Sequence, residues 1–246
     1  MNNPFSLSGK TILVTGASSG IGRGIAIACA GMGAQVILTA RNAVRLQDTL
    51  SALEGEGHNY IAADLTDATQ RTALVEQLPA LHGVVHCAGV GSRIPCKMLT
   101  QEDLDYVMKP NAEAPMLLQA ELLSEKKIAK QASVVFVASA AASMPSAGNA
   151  AYSASKAAII AYAKCLAQEL APRQIRVNSI SPAMVWTDLA LVGATTEQLT
   201  EAEKQYPLKR YGQPQDIAHL AVYMLSDASQ WMTGSDVQIT GGSQVL

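Results

Sequence analysis

Short apolar runs recur along the chain: TILVT at 11–15, QVILT at 35–39, NYIAA at 59–63, GVVH at 83–86, SVVFVA at 133–138, RVNSI at 176–180 and DVQIT at 236–240. Most are continuous in Val, Ile and Leu. They do not alternate apolar with polar, so both faces of each strand are expected to be covered. Longer stretches with helical periodicity separate them, at about 20–32, 42–54, 67–78, 101–125, 150–171 and 214–226. This alternation predicts an α/β fold: a doubly wound Rossmann-type domain, its mostly parallel seven-stranded sheet flanked by helices and joined by right-handed crossovers. No Pro/Ser/Gly-rich break divides residues 1–246, which read as one domain. Two stretches lack either periodicity, 140–149 and 183–212. Long loops beyond the carboxyl ends of strands shape ligand crevices in such folds, and 183–212 is the expected substrate lid.

Composition narrows the class. Of 246 residues, 49% are hydrophobic and 15% charged, enough apolar material for a core and too little charge for a disordered chain. Only 4% are aromatic, so the core must be aliphatic. Eighteen Lys and Arg against twenty Asp and Glu leave a net charge of −2, and no basic run exceeds Lys126-Lys127. No nucleic-acid partner is expected. No apolar stretch nears the roughly 18 residues of a membrane span. Residues 1–10 carry no basic and apolar leader, and the four cysteines (29, 87, 96, 165) form no CxxC pair. Reduced thiols in the cytoplasm are the expectation. His82 and His86 are four apart, but four strand residues span about 13 Å, so they cannot share a metal, and no metal is expected.

The first strand runs into Gly16-Ala17-Ser18-Ser19-Gly20-Ile21-Gly22, and a helix follows. The spacing is GxxxGxG. Gly16 permits the tight turn, Gly20 lets a pyrophosphate approach the backbone, and Gly22 allows close helix–strand packing. A diphosphate would sit on the amides of this segment, Ser18, Ser19 and Ile21 included, at the positive end of the helix. After the second strand stands Arg41, where an NAD site would carry Asp or Glu. A cation there suits a 2′-phosphate, and Ser18 can add a hydroxyl, so NADP(H) is favoured over NAD(H). Asp64, with Leu65 beside it after the third strand, is placed to accept from an adenine amino group; the competing role is a helix cap, with Thr66 and Asp67 as rivals.

Tyr152-Ser-Ala-Ser-Lys156 opens an Ala-rich helix. Residues four apart share a face, so the phenol and the ammonium can point into one cavity. A neighbouring cation favours a phenolate, which equips Tyr152 to exchange a proton with an alcohol or carbonyl oxygen. Lys156 can also hold ribose hydroxyls. Ser139 follows the strand at 133–138 and falls in the same crevice.

The chain resembles the short-chain dehydrogenase/reductase family, in its branch of about 250 residues. The resemblance rests on TGASSGIG at 15–22, Cys87-Ala88-Gly89, Asn111, Ser139, Tyr152 with Lys156, Asn178 to Pro182, Thr187 and Gly241-Gly242. It implies a tetrad of Asn111, Ser139, Tyr152 and Lys156. Tyr152 would be the general acid or base, Ser139 would orient the carbonyl, Lys156 would tune Tyr152 and grip the ribose, and Asn111 would hold a relay water. Cys87, Ala88 and Gly89 would border the ribose; Pro182, Val185 and Thr187 would contact the nicotinamide amide and diphosphate. Three positions depart from the family pattern. His86 replaces a strand-tying Asn, Cys87 replaces another Asn, and Ala183 replaces a Gly. Pro110, before Asn111, suggests a helix break.

The reaction so implied is hydride transfer between nicotinamide and a carbonyl or secondary alcohol. The nearest general resemblance is to 3-oxoacyl-(acyl-carrier-protein) reductases, with Arg173 and Lys126-Lys127 where those enzymes meet an acidic carrier. Sugar, polyol, steroid or quinone-type carbonyls stay open as small-molecule substrates, as does a catalytically silent NADP(H)-binding regulator. The family also implies a homotetramer, or a homodimer, packed through the helices at 101–125 and 150–171.

Overall fold

All six strand pairings are parallel, and the strand order is β3-β2-β1-β4-β5-β6-β7 in a computed structural model that describes residues 3–191 and 195–243. The strands are β1 (Thr11–Thr15), β2 (Gln35–Ala40), β3 (Asn59–Ala62), β4 (Leu81–His86), β5 (Ile128–Val137), β6 (Arg176–Pro182) and β7 (Asp236–Ile239). The helices are α1 (Gly20–Gly31), α2 (Ala43–Leu50), α3 (Ala68–Gln77), α4 (Gln101–Met108), α5 (Ala114–Ser124), α6 (Ala150–Leu170), α7 (Thr196–Glu203) and α8 (Pro214–Leu225). Successive strand residues point to opposite faces. Ile12, Val14, Val85 and Val135 pack with α1 and α8, whereas Leu13, Val84, Val134 and Phe136 pack with α3, α5 and α6. Two apolar layers therefore clamp the sheet, which is why its strands read as unbroken hydrophobic runs.

The chain leaves β1 toward β2 on one side and, after β3, crosses back to β4 on the other. The carboxyl ends of β1 and β4 thus flank the switch point, where open α/β sheets bind ligands.

Four details differ from the sequence reading. β5 starts five residues early, at Ile128 paired with Leu81; the register then shifts so that Gly83 pairs with Ser133, and Gln131 in the intervening bulge has φ +62°. The expected helix at 101–125 neither runs straight nor breaks at Pro110: a π-helical turn, Lys109–Glu113, links α4 to α5. The irregular 183–212 stretch contains α7, started by a reciprocal cap between Thr195 and Gln198. Residues 192–194 of that stretch lie outside the described residues. Finally, His86 does not disturb strand pairing, since it stays in register with Phe136. No described helix is long and apolar enough to cross a membrane.

Candidate active site

The glycine turn after β1 is shaped by close backbone approaches. Gly16 has φ +66°, and a Cβ on it would stand 2.8 Å from the Ala88 backbone; one on Gly22 would stand 2.3 Å from the Gly16 carbonyl oxygen. Thr15 ties the turn to the segment after β4: its hydroxyl accepts from the amides of Cys87 (2.9 Å) and Ala88 (3.1 Å). These bonds hold the two strand ends together. Ser19 precedes α1 in extended conformation, and its side chain caps nothing; no acid stands in the first turn. The first amides of α1 are left for an external acceptor at the positive end of the helix dipole.

One cavity of about 1460 Å³ gathers nearly every predicted site residue. Gly16 and Ser18, Ser19, Gly20, Ile21 and Gly22 border it from the first turn, Arg41 from the end of β2, and Asp64 and Leu65 from beyond β3. Cys87, Ala88 and Gly89 follow β4, Ser139 follows β5, Tyr152 and Lys156 project from α6, Pro182 ends β6, and Val185 and Thr187 follow it. Drug-sized ligand pockets hold roughly 300–1,000 Å³, so this space admits a dinucleotide with a second small molecule beside it.

Asn111 alone lies behind the wall. Its side chain is buried, accepts from the Val90 amide (2.7 Å), and donates to the Val90 carbonyl (2.9 Å) and the Ser155 hydroxyl (3.2 Å). The π turn explains its neighbourhood. The Ala114 amide reaches back five residues to the Lys109 carbonyl. An α-helix would aim the next-but-three amide at the Asn111 carbonyl, but that residue is Pro115, which has none.

Lys156 is buried and donates to the Val137 carbonyl (3.0 Å), with its ammonium 5.9 Å from the centre of the Tyr152 ring. Among the described residues the Tyr152 hydroxyl has no hydrogen-bond partner. Ser139 Oγ accepts from the Ala141 amide (3.2 Å), so its own proton stays available to an acceptor in the cavity. The Cys87 thiol is pushed up to about 12 by burial, against the opposing charge of Lys156, and stays protonated.

Asp64 is not a helix cap; Asp67 caps α3 by accepting from the Gln70 amide. Burial raises the Asp64 carboxyl, but the Thr66 amide and hydroxyl and the Arg41 charge outweigh it and hold the group below its ordinary value. His86 stacks on Phe136 (4.5 Å, 9°) and bonds Gln119 through Nε2 (3.0 Å). Burial pulls it down to about 4, so it is neutral. His82 Nδ1 separately accepts from the Thr11 amide.

Several cavity residues went unread in the sequence. Arg45, one turn into α2, lines the cavity and pairs with Asp188 (3.4 Å) of the 183–212 stretch, so an ion pair crosses from the β2 side to that stretch. Arg93 also lines it, as do Leu189 and Tyr206 of the 183–212 stretch expected to shape the crevice. The base of 183–212 is closed by bonds between Met184 and Gly212 (3.0 Å) and between Gly212 and Trp186 (2.9 Å). Glu203 accepts from the Trp186 indole (2.8 Å), and Tyr206 packs edge-on against Tyr211. The cations read as carrier-binding are partly engaged: Lys127 donates to the Glu76 and Leu78 carbonyls and Arg173 to the Ile128 carbonyl.

Comparison with known proteins gives the family. Residues 16–244 match the family described as enoyl-(acyl carrier protein) reductase. The chain is 31% identical to L-xylulose reductase of Caenorhabditis elegans, covering 97% of both chains. It is 30% identical to 3-oxoacyl-(acyl-carrier-protein) reductase FabG of Rickettsia conorii, covering 97% of this chain and 98% of that one. A solved Agrobacterium tumefaciens structure with bound NADP, described as a candidate 2-deoxy-D-gluconate 3-dehydrogenase, superposes with a TM-score of 0.88 at 29% identity and 98% coverage of each. A chain that matches the family model over residues 16–244 and these proteins over nearly its whole length belongs to the short-chain dehydrogenase/reductase family of oxidoreductases.

Proposed function

We propose that the protein interconverts a carbonyl and a secondary alcohol with NADP(H), using Asn111, Ser139, Tyr152 and Lys156. The observation that carries this reading is the unpartnered Tyr152 hydroxyl sharing one cavity with Ser139, Lys156 and the amides that open α1. Those amides and the close Gly16–Gly22 approach fit a diphosphate, and Arg41 with Arg45 fits a 2′-phosphate. When bound, the dinucleotide supplies or accepts the hydride. Ser139 donates to the substrate oxygen and fixes its position. Tyr152 gives that oxygen a proton in reduction and takes it back in oxidation. Lys156 places positive charge beside the phenol and holds ribose hydroxyls. The Asn111 carbonyl, which Pro115 cannot bond, takes a water that resupplies the proton through Lys156. Residues 183–212 act as the lid over a single domain, with Arg45 and Asp188 as the crossing contact.

The relatives' names span a ketose, a sugar acid and a carrier-bound thioester, all with a carbonyl or alcohol at the reacting carbon. A small molecule is favoured over an acyl carrier here, because Lys127 and Arg173 already serve backbone carbonyls. We further assign a cytoplasmic homotetramer or homodimer; Met98, Tyr106 and Leu117 of the α4–α5 region are large, apolar and exposed. The decisive test is Tyr152→Phe assayed with NADPH and a carbonyl panel. Turnover falls at least a hundredfold while NADPH affinity stays within threefold; turnover within tenfold of wild type would refute the role. NADPH binding without turnover of any carbonyl or alcohol would favour a silent binding protein instead.

A further inference from the structure

We infer that Arg93 is a substrate-selecting residue, and that the substrate carries a carboxylate or phosphate which it pairs. This rests on the carbonyl–alcohol reading of the same cavity. The other cations lining that cavity either have protein partners or, in the case of Arg41 with Arg45, stand where the 2′-phosphate is proposed to bind. Arg45 pairs with Asp188 and Lys109 with Asp105. Arg41 sits in the field of Asp64, and Lys156 is bound to the Val137 carbonyl. Arg93 lines the cavity yet has no ion pair and no side-chain hydrogen bond among the described residues. The acids of the wall cannot serve it cheaply: Asp188 and Asp105 are paired, Asp64 is held by Thr66, and Glu102 stands in the first turn of α4.

Arg93 also stands on the substrate side. The Ile94 amide donates to the Gly148 carbonyl (2.7 Å), which pins the loop beside the start of α6, one turn before Tyr152. The Arg93 stem lies 3.5 Å from where a Gly148 Cβ would be, and Gly91 abuts Leu189 of the 183–212 stretch. On the far side, burial and then Tyr206 and Glu203 hold the Tyr211 phenol above its ordinary value, and Arg93 is the cation opposing them. Arg93 therefore lies in the cavity between the Gly148 loop and the Tyr211 side, with Ser92 and Ser146 in the same lining. A guanidinium grips a planar or tetrahedral oxyanion through two parallel bonds, which sets orientation as well as affinity.

The test uses matched probes: acetoacetate with methyl acetoacetate, levulinate with methyl levulinate, and dihydroxyacetone phosphate with dihydroxyacetone. Each is titrated calorimetrically into wild type, Arg93→Met and Arg93→Lys, with NADP⁺, which blocks turnover of a ketone, and without nucleotide. We expect at least one anionic member to bind tenfold or more tightly than its neutral partner in wild type. Arg93→Met abolishes that preference and Arg93→Lys keeps part of it; the first two pairs and the third separate carboxylate from phosphate. The inference is overturned if no anion outbinds its neutral partner, or if the preference survives Arg93→Met. NADP⁺ that fails to bind would instead sink the proposed function, so the two failures are distinguishable.

Discussion

Two glycines of α1 offer a controlled measure of how tightly the nucleotide turn is built. Gly22→Ala and Gly31→Ala both replace a helical glycine, and each gains up to about 1 kcal/mol of helix propensity. They differ in space. Nothing lies nearer than 4.0 Å to a Cβ at Gly31, whereas one at Gly22 would stand 2.3 Å from the Gly16 oxygen and 2.7 Å from its carbonyl carbon. Cβ contacts below 3.0 Å essentially never occur, so the Gly16 peptide must retreat by at least 3.0 − 2.3 = 0.7 Å. Overpacking of this kind costs about 1–3 kcal/mol, and the obstacle here is rigid backbone, which argues for the upper end. The clash outweighs the propensity gain, and the two variants should differ by about 3 kcal/mol. For a chain of this size that is roughly 6–12 °C in Tm. Thermal melts followed by circular dichroism check the gap. Fluorescence titration with NADPH checks the site: Gly22→Ala raises Kd at least tenfold, and Gly31→Ala leaves it within twofold. If the two variants melt within about 2 °C of each other and bind NADPH alike, the close approach at Gly16 is not a constraint and the cradle argument fails.

Arg41→Asp replaces attraction for a 2′-phosphate with repulsion, and the ratio of kcat/KM for NADPH over NADH should fall at least tenfold; an unchanged ratio would rule Arg41 out as the reader. His86 gives a pH prediction. Its folded value, about 4, lies below the ordinary 6.5, so between those values the unfolded chain binds a proton that the native chain refuses. The resulting penalty is absent above that window and grows as pH falls through it, so that about 2 kcal/mol of stability is lost by pH 5. Urea unfolding at pH 7 and pH 5 should show this loss in wild type and a smaller one in His86→Phe; equal losses would mean another group governs the acid limb.

Much of this architecture could be read directly from the residues. The strand runs were visible because both sheet faces are covered, so Val, Ile and Leu follow one another without polar interruption. The chemistry was visible where it sits on local patterns: the glycine spacing, and Tyr152 one turn before Lys156. What escaped reading depends on distant partners. The early start of β5 is masked by Lys130 and Gln131, polar residues at a bulge. The helix α7 carried a local sign in Thr195-x-x-Gln198, overlooked because its surroundings have little apolar periodicity. Arg45 follows Arg41 by four residues at a helix start, a spacing that could have drawn attention to it. Arg93 had no such sign; only the folding of the 91–95 loop against Gly148 brings it to the cavity. His86 could be recognised as unusual, but its partners Phe136 and Gln119 are supplied by β5 and α5.

The π turn at Lys109–Glu113 makes the geometry around Asn111 a matter of residue count. Each residue added to or removed from an α-helix rotates everything beyond it by about 100°. Deleting one residue here would restore ordinary helical winding and leave Leu118 and Leu122 on the sheet, because the wider turn takes up its extra residue in nearly the same rotation, but it would disturb the bonds that hold Asn111 to Val90 and Ser155. Side chains in this segment other than Asn111 can therefore be exchanged one at a time, while its length cannot change without disturbing the contacts of Asn111. Homologous chains should vary in composition across 109–113, Asn111 apart, far more freely than in spacing.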